Sequence, residues 1–250
     1  MKTRLLLALG AFVGFLTTSC NINETITFSE DGSGVMKLEM DGEQLMAMAG
    51  GQMGDKKERI DSTFNFREVF KGKADSIAKL PKAEQDRIKA LQNLEGHLLM
   101  DSESGELKIT FDNKFKNASE LVNMMNGTSE FKKGFLKGAA QGMQEEGMPD
   151  MGLDDAEPAI TYSYDGKKFK KTVAEVPPKE EEEENEIMAQ LYQAFEGSTY
   201  TVNYKFPKKI KSVSNKAGKI SDDKKTVTVV YQLVDYMDNP KSMDLEVVFE

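Results

Sequence analysis

The segment YTVNYKFPKKIKSVSNKAGKISDDKKTVTVVYQL, residues 200–233, decides the class of fold. Tyr200, Val202, Tyr204 and Phe206 alternate with Thr201, Asn203 and Lys205. Val227, Val229, Tyr231 and Leu233 repeat the pattern after Lys224 and Lys225. A period of two puts one set of side chains on each face of a strand, so both runs read as half-buried strands. Pro207 cannot donate into a ladder and punctuates the first run.

The same period recurs on both sides of this segment. Leu245, Val247 and Phe249 form a further strand after Pro240. Near the other end, Ile22, Ile26 and Phe28 alternate with Asn23, Thr25 and Thr27, and Met36, Leu38 and Met40 alternate with Lys37 and Glu39. Asp31-Gly32 lies between those runs, and Asp-Gly between alternating runs predicts a hairpin.

The middle of the chain mixes periods. Residues 43–49 predict a short helix stopped by Gly50-Gly51, and Phe64 and Phe66 mark a short strand. Residues 75–94 read as helical in two pieces divided at Pro81. Strands follow at Leu94–Asp101 and Glu106–Phe115, joined by Ser102-Glu103-Ser104-Gly105. Asn117 can cap a helix that carries Glu120 three residues on and Leu121, Met124 and Met125 on its apolar stripe. Strands resume at Ala159–Tyr164 and Lys168–Val173. Residues 177–186, PPKEEEEENE, read as an acidic helix start running to about Phe195, or as a solvated linker. The expected architecture is α+β: a mostly antiparallel curved sheet of about nine strands with three or four helices. Residues 20–250 are expected to form one domain, with a flexible Met- and Gly-rich segment near 126–158.

The chain opens MKTRLLLALGAFVGFLTTSC. Lys2 and Arg4 precede an apolar run from Leu5 to Leu16, too short to cross a bilayer core of about 30 Å. A basic start, a short apolar run and small residues form the layout of a secretory signal over residues 1–19. The stretch Leu16-Thr17-Thr18-Ser19-Cys20 resembles a bacterial lipobox. That resemblance implies that the sulfur of Cys20 takes a diacylglycerol, that residues 1–19 are cut away, and that the new amino terminus is acylated. Cys20 is the only cysteine among 250 residues. A lone thiol has no internal disulfide partner, and acylation gives it a role.

Three stretches, ETITFSEDGSGVMKLEM, IDSTFNF with ADSIAKLP, and the strand-rich end, resemble lipoproteins of unknown function from Bacteroidota. The end is also similar to LppM-type lipoprotein domains. The LppM-type resemblance implies a curved antiparallel sheet with helices and an apolar cavity able to hold lipid. Asp61-Ser62-Thr63 and Asp75-Ser76-Ile77 resemble the O-glycosylation sequon of Bacteroidota, which makes Ser62 and Ser76 candidate modification sites.

Other chemistry is thinly represented. The formal charge is −9, and losing Lys2 and Arg4 makes the remainder more acidic still, a poor match to nucleic-acid phosphates. His97 is the only histidine and shares its strand parity with Glu95, Leu99 and Asp101, a surface position. There is no G-x-S-x-G elbow, P-loop or dinucleotide glycine pattern. Asp101-Ser-Glu-Ser-Gly-Glu has its glycine one place early for a calcium loop. Met46, Met48 and Met53, and Met143, Met148 and Met151, lack the His or Cys that a copper site borrows; methionine also fills cores and builds adaptable apolar surfaces. No catalytic residue, metal or cofactor is expected. Two functions remain: a periplasm-facing lipoprotein, on the outer membrane, that binds a lipid or other hydrophobic ligand in a groove of the sheet, or one that scaffolds an envelope protein complex. Asn21-Ile22-Asn23-Glu24 after the cysteine lacks the acidic cluster that resembles a surface-export signal, which is why the anchor is expected to face the periplasm.

Overall fold

The computed structural model describes residues 20–43, 46, 57–126, 159–175, 192–193 and 195–250. The described strands are β1 (Asn21–Phe28), β2 (Gly34–Asp41), β3 (Arg59–Asn65), β4 (Glu95–Asp101), β5 (Glu106–Phe115), β6 (Ile160–Tyr164), β7 (Lys168–Val173), β8 (Thr199–Lys205), β9 (Ile210–Val213), β10 (Lys219–Ile220), β11 (Thr226–Gln232) and β12 (Leu245–Phe249). The described helices are α1 (Phe66–Val69), α2 (Ala74–Ile77), α3 (Lys82–Leu91), α4 (residues 118–126), α5 (Leu233–Asp238) and a 3₁₀ turn at Pro240–Met243. The class is α+β and mostly antiparallel, as the alternating runs predict.

The strands form two sheets where the sequence suggested one. The larger has the order β10-β11-β8-β1-β2-β5-β4-β3, and the smaller the order β6-β7-β12-β9. Among the described residues the count is twelve strands, not about nine. The chain leaves the large sheet after β8 at Phe206-Pro207, adds β9 to the small sheet, returns as β10 and β11, and leaves again for β12. β9 and β10 hold four and two residues, too few to display a period. The β1–β8 pair is parallel, in register from Asn21↔Thr199 to Thr27↔Lys205. This pairing joins the start of the fold to its end and makes β1 a central strand.

The two sheets pack face to face. Ile26, Phe28, Val202, Tyr204 and Phe206 of the large sheet meet Phe169, Val247 and Phe249 of the small one in one buried core. Ring centroids lie 5.3 Å apart for Phe28 and Phe169, 5.1 Å for Phe169 and Tyr204, and 4.8 Å for Phe206 and Phe249. Such pairs each contribute about 0.5–1.5 kcal/mol beyond their burial. Leu121 and Met124 of α4, and Ala90 and Leu91 of α3, belong to the same core.

Local signals worked where the chemistry is local. The β1–β2 hairpin turns through Gly32 at φ +82°, which glycine adopts without strain. Pro81 caps α3 and separates it from α2. The Asn117 side chain accepts from the Glu120 amide at 3.0 Å, while Glu120 returns a bond to the Lys116 amide instead of that of Asn117. Phe66 starts a helical turn instead of extending a strand, because the Asn65 side chain accepts from the Arg67 amide and ends β3 there. The helix expected over 43–49 falls mostly outside the described residues. The segments near 126–158 and 177–186 also lie outside them, apart from residue 126, the last of α4.

Candidate functional site

Alternation places Glu24 on the same face of β1 as Ile26 and Phe28, facing the small sheet. It is fully buried, with 0% of its surface exposed. Lys171, on the inward face of β7, is 1% exposed. Register explains how they meet. Tyr200, Val202 and Tyr204 line up beside Ile22, Glu24 and Ile26 on neighbouring parallel strands. Tyr162 and Leu245 flank Lys171 in the small sheet.

The result is a closed polar cluster inside the sandwich. One oxygen of the Glu24 carboxylate accepts from Tyr204 at 2.6 Å and Tyr162 at 3.1 Å. The other accepts from Tyr200 at 2.7 Å and from the Lys171 ammonium at 3.4 Å. The same ammonium donates to the Tyr204 hydroxyl at 3.1 Å and lies 5.8 Å from the ring centroids of Tyr162, Tyr200 and Tyr204. The cluster thus satisfies the usual condition for burying charge: opposite sign, direct hydrogen bonds and polarisable neighbours.

Its protonation follows from that geometry. Burial works to raise the Glu24 carboxyl, but the Lys171 charge and the three tyrosine hydrogen bonds outweigh it and hold the carboxyl below its ordinary value. Burial lowers the Lys171 ammonium from its ordinary value, and Glu24 opposes that shift. Burial, then the Glu24 charge, push all three tyrosines well above 10, so they stay neutral donors. The cluster ties the sheets together, and Tyr162 and Tyr200, its most exposed members, keep only 6% and 8% of their surface.

A recess open to solvent lies largely on the opposite face of the large sheet. It is a groove of about 710 Å³ across β1, β2 and β5, at the end of the sheet where β1 finishes. Thr25 and Thr27 of β1, Val35 and Lys37 of β2, and Asp112 and Lys114 of β5 project toward it. Asn65, Arg67, Asn93, Glu95, Lys116 and Glu120 close one side. Lys37 is paired with Glu39 at 2.7 Å, and Arg67 donates to Asn93 at 3.4 Å. Both signs of charge are present with hydroxyl and amide groups between them. Met36 and Phe115 border it too, so the recess sets hydrogen-bonding groups in a surface that is more apolar than polar.

The residues singled out from sequence are dispersed. Cys20 is buried at the foot of β1, and its amide donates to Ser198 Oγ at 2.9 Å. Burial, with a smaller push from Asp41, raises its thiol to about 11. Ser62 is exposed on the edge strand β3, and Ser76 is exposed in α2. His97 is partly exposed on β4, its Nε2 2.9 Å from Asp61, far along the sheet from the buried cluster. Asp101 closes the β4–β5 turn by accepting from the amides of Glu103 and Ser104, which is a turn function. Met46 is buried, and the other methionines of the two Met-rich segments lie outside the described residues.

Glu24 and Lys171 escaped the sequence reading although each breaks the apolar parity of its own strand. A carboxylate on one such face and an ammonium on another was the available signal. What the sequence lacks is the statement that β1 and β7 face each other.

No protein-family model matches the chain, and no curated protein matches it. Among solved structures it is similar to the folded domain of LppM from Mycobacterium tuberculosis, determined by NMR. Sequence identity is 8%, over 92% of this chain and 89% of that one, with a TM-score of 0.42. This is the loose LppM-type similarity suggested by the strand-rich end, and it carries no ligand, partner or activity to this chain.

Proposed function

We propose that this chain is a non-enzymatic cell-envelope lipoprotein, tethered through Cys20, that holds a partner protein in the groove of its large sheet. The observation that carries this reading is the contrast between the two faces of that sheet. The inner face is filled by packed aromatic rings and by the sealed Glu24–Lys171 cluster. The outer face presents hydroxyl, amide and charged groups of both signs around an open recess. Interfaces between proteins pair such groups and gain specificity and encounter rate from them. The same recess exposes more apolar than polar surface, with Val35, Met36 and Phe115 on its border, so a lipid or other hydrophobic ligand is the second reading that the test below separates. The lipobox-like stretch supports the tether, and the residues after Cys20, which hold no acidic cluster, support an anchor that faces the periplasm; placement on the outer membrane is part of the proposal.

The test places a photo-crosslinking residue at Lys114 in the full-length protein within its native membrane. The proposal expects a discrete crosslinked species that disappears when Lys37 and Lys116 are also changed to Glu. Recovery of monomer alone overturns it. Native mass spectrometry of the same protein separates the lipid alternative: a bound acyl lipid, beyond the anchor, would replace the partner reading.

A further inference from the structure

Cys20 carries the tether in the function proposed above, and the structure shows how little chain separates it from the fold. Asn21, the next residue, is already the first residue of β1, paired with Asp41 on one side and Thr199 on the other. Its side-chain oxygen accepts from Thr199 Oγ1 at 2.8 Å. The Cys20 backbone is held as well: its amide donates to Ser198, which is fully buried. Strands β1 and β8 run parallel from this point, so both start at the tether end and finish at the far end.

We infer that the domain is anchored without a linker, so that the end of the sandwich around Cys20 rests against the bilayer carrying the anchor and the groove lies toward the far end. The membrane-facing end comprises the residue 195–197 turn, the β4–β5 turn at 102–105, and α5. The eight residues of β1, at 3.3 Å each, place the far end roughly 25 Å above it. The groove lining, with Thr27, Lys114 and Lys116, lies at that far end. Both signs of charge border the tether end: Asp41, Glu103, Glu196, Asp235 and Asp238 beside Lys57, Arg59 and Lys108. A surface of mixed charge matches a zwitterionic bilayer contacted at headgroup level, not penetrated.

The experiment uses the full-length lipidated protein in phosphatidylcholine vesicles containing a headgroup spin label. An environment-sensitive dye is attached at Glu196→Cys in one sample and at Ser29→Cys in another; Ser29 is exposed in the far β1–β2 turn. The inference expects loss of most emission at position 196 and none at position 29. Inserting a flexible Gly/Ser linker of about 20 residues between Cys20 and Asn21, with a span of about 25 Å, is expected to abolish the difference. Equal quenching at both positions without the linker overturns the inference. Absence of an acyl adduct in the mass of the same sample points instead to failure of the lipidation reading.

Discussion

Replacing Glu24 with Leu tests the cluster that joins the two sheets. The substitution removes the acceptor of three tyrosine hydroxyls and the counter-charge of Lys171. The ammonium is then left with the Tyr204 hydroxyl and three ring faces, in a site with no water-exposed exit. Breaking a buried ion pair from one side costs about 3–5 kcal/mol, because the remaining charge stays desolvated. At about 2–4 °C per kcal/mol for a domain of this size, the melting temperature falls by about 6–20 °C. Lys171→Met is milder, about 1–3 kcal/mol, since the carboxylate keeps three donors. The double variant Glu24→Leu/Lys171→Met is the informative one. It removes both charges and restores apolar packing, so its cost falls below the sum of the singles and below Glu24→Leu alone. The chain has no Trp, so urea titrations followed by circular dichroism supply the free energies. Additivity within about 0.5 kcal/mol would refute the idea that these groups act as a unit.

Three further outcomes are expected. The Glu24 carboxyl sits below its unfolded value of about 4.3, so its contribution is complete above that pH and is lost as pH falls through the lowered folded value. Stability measured from pH 6 downward should therefore drop more steeply in the parent than in Glu24→Gln; parallel curves would exclude Glu24 as the source. Gly96→Ala would drive its new methyl into the Phe64 ring that covers the glycine, so it should destabilise by about 1–3 kcal/mol, with the penalty reduced in a Phe64→Ala background. Lys37→Glu with Lys116→Glu changes exposed groups of the groove, so the melting temperature should stay near the parent value while the crosslink from position 114 described above is lost; a large stability loss would mean that the groove is a structural element.

The sequence exposed what depends on near neighbours. Asp31-Gly32 announced the hairpin, Pro81 divided α2 from α3, and Asn117 capped α4. The alternation in residues 200–206 and 226–232 gave β8 and β11. Sheet membership was hidden because it depends on which alternating strands pair at long range. Nothing in Asn21–Thr27 says that its neighbour is Thr199–Lys205, in parallel. The candidate site was hidden for the same reason. Thr25, Lys37 and Lys114 belong to strands that are individually ordinary, and only their adjacency makes a groove. Glu24 is the instructive case. A charged residue at an apolar strand position was visible, but its meaning required Lys171, which lies 147 positions away.

The central claim is that Cys20 ties this fold to a membrane. Labelling cells that make the full-length protein with a radioactive fatty acid, beside a Cys20→Ala control, tests it directly. The account predicts label in the parent protein and none in the variant. An unlabelled parent, present in normal amounts, would contradict it.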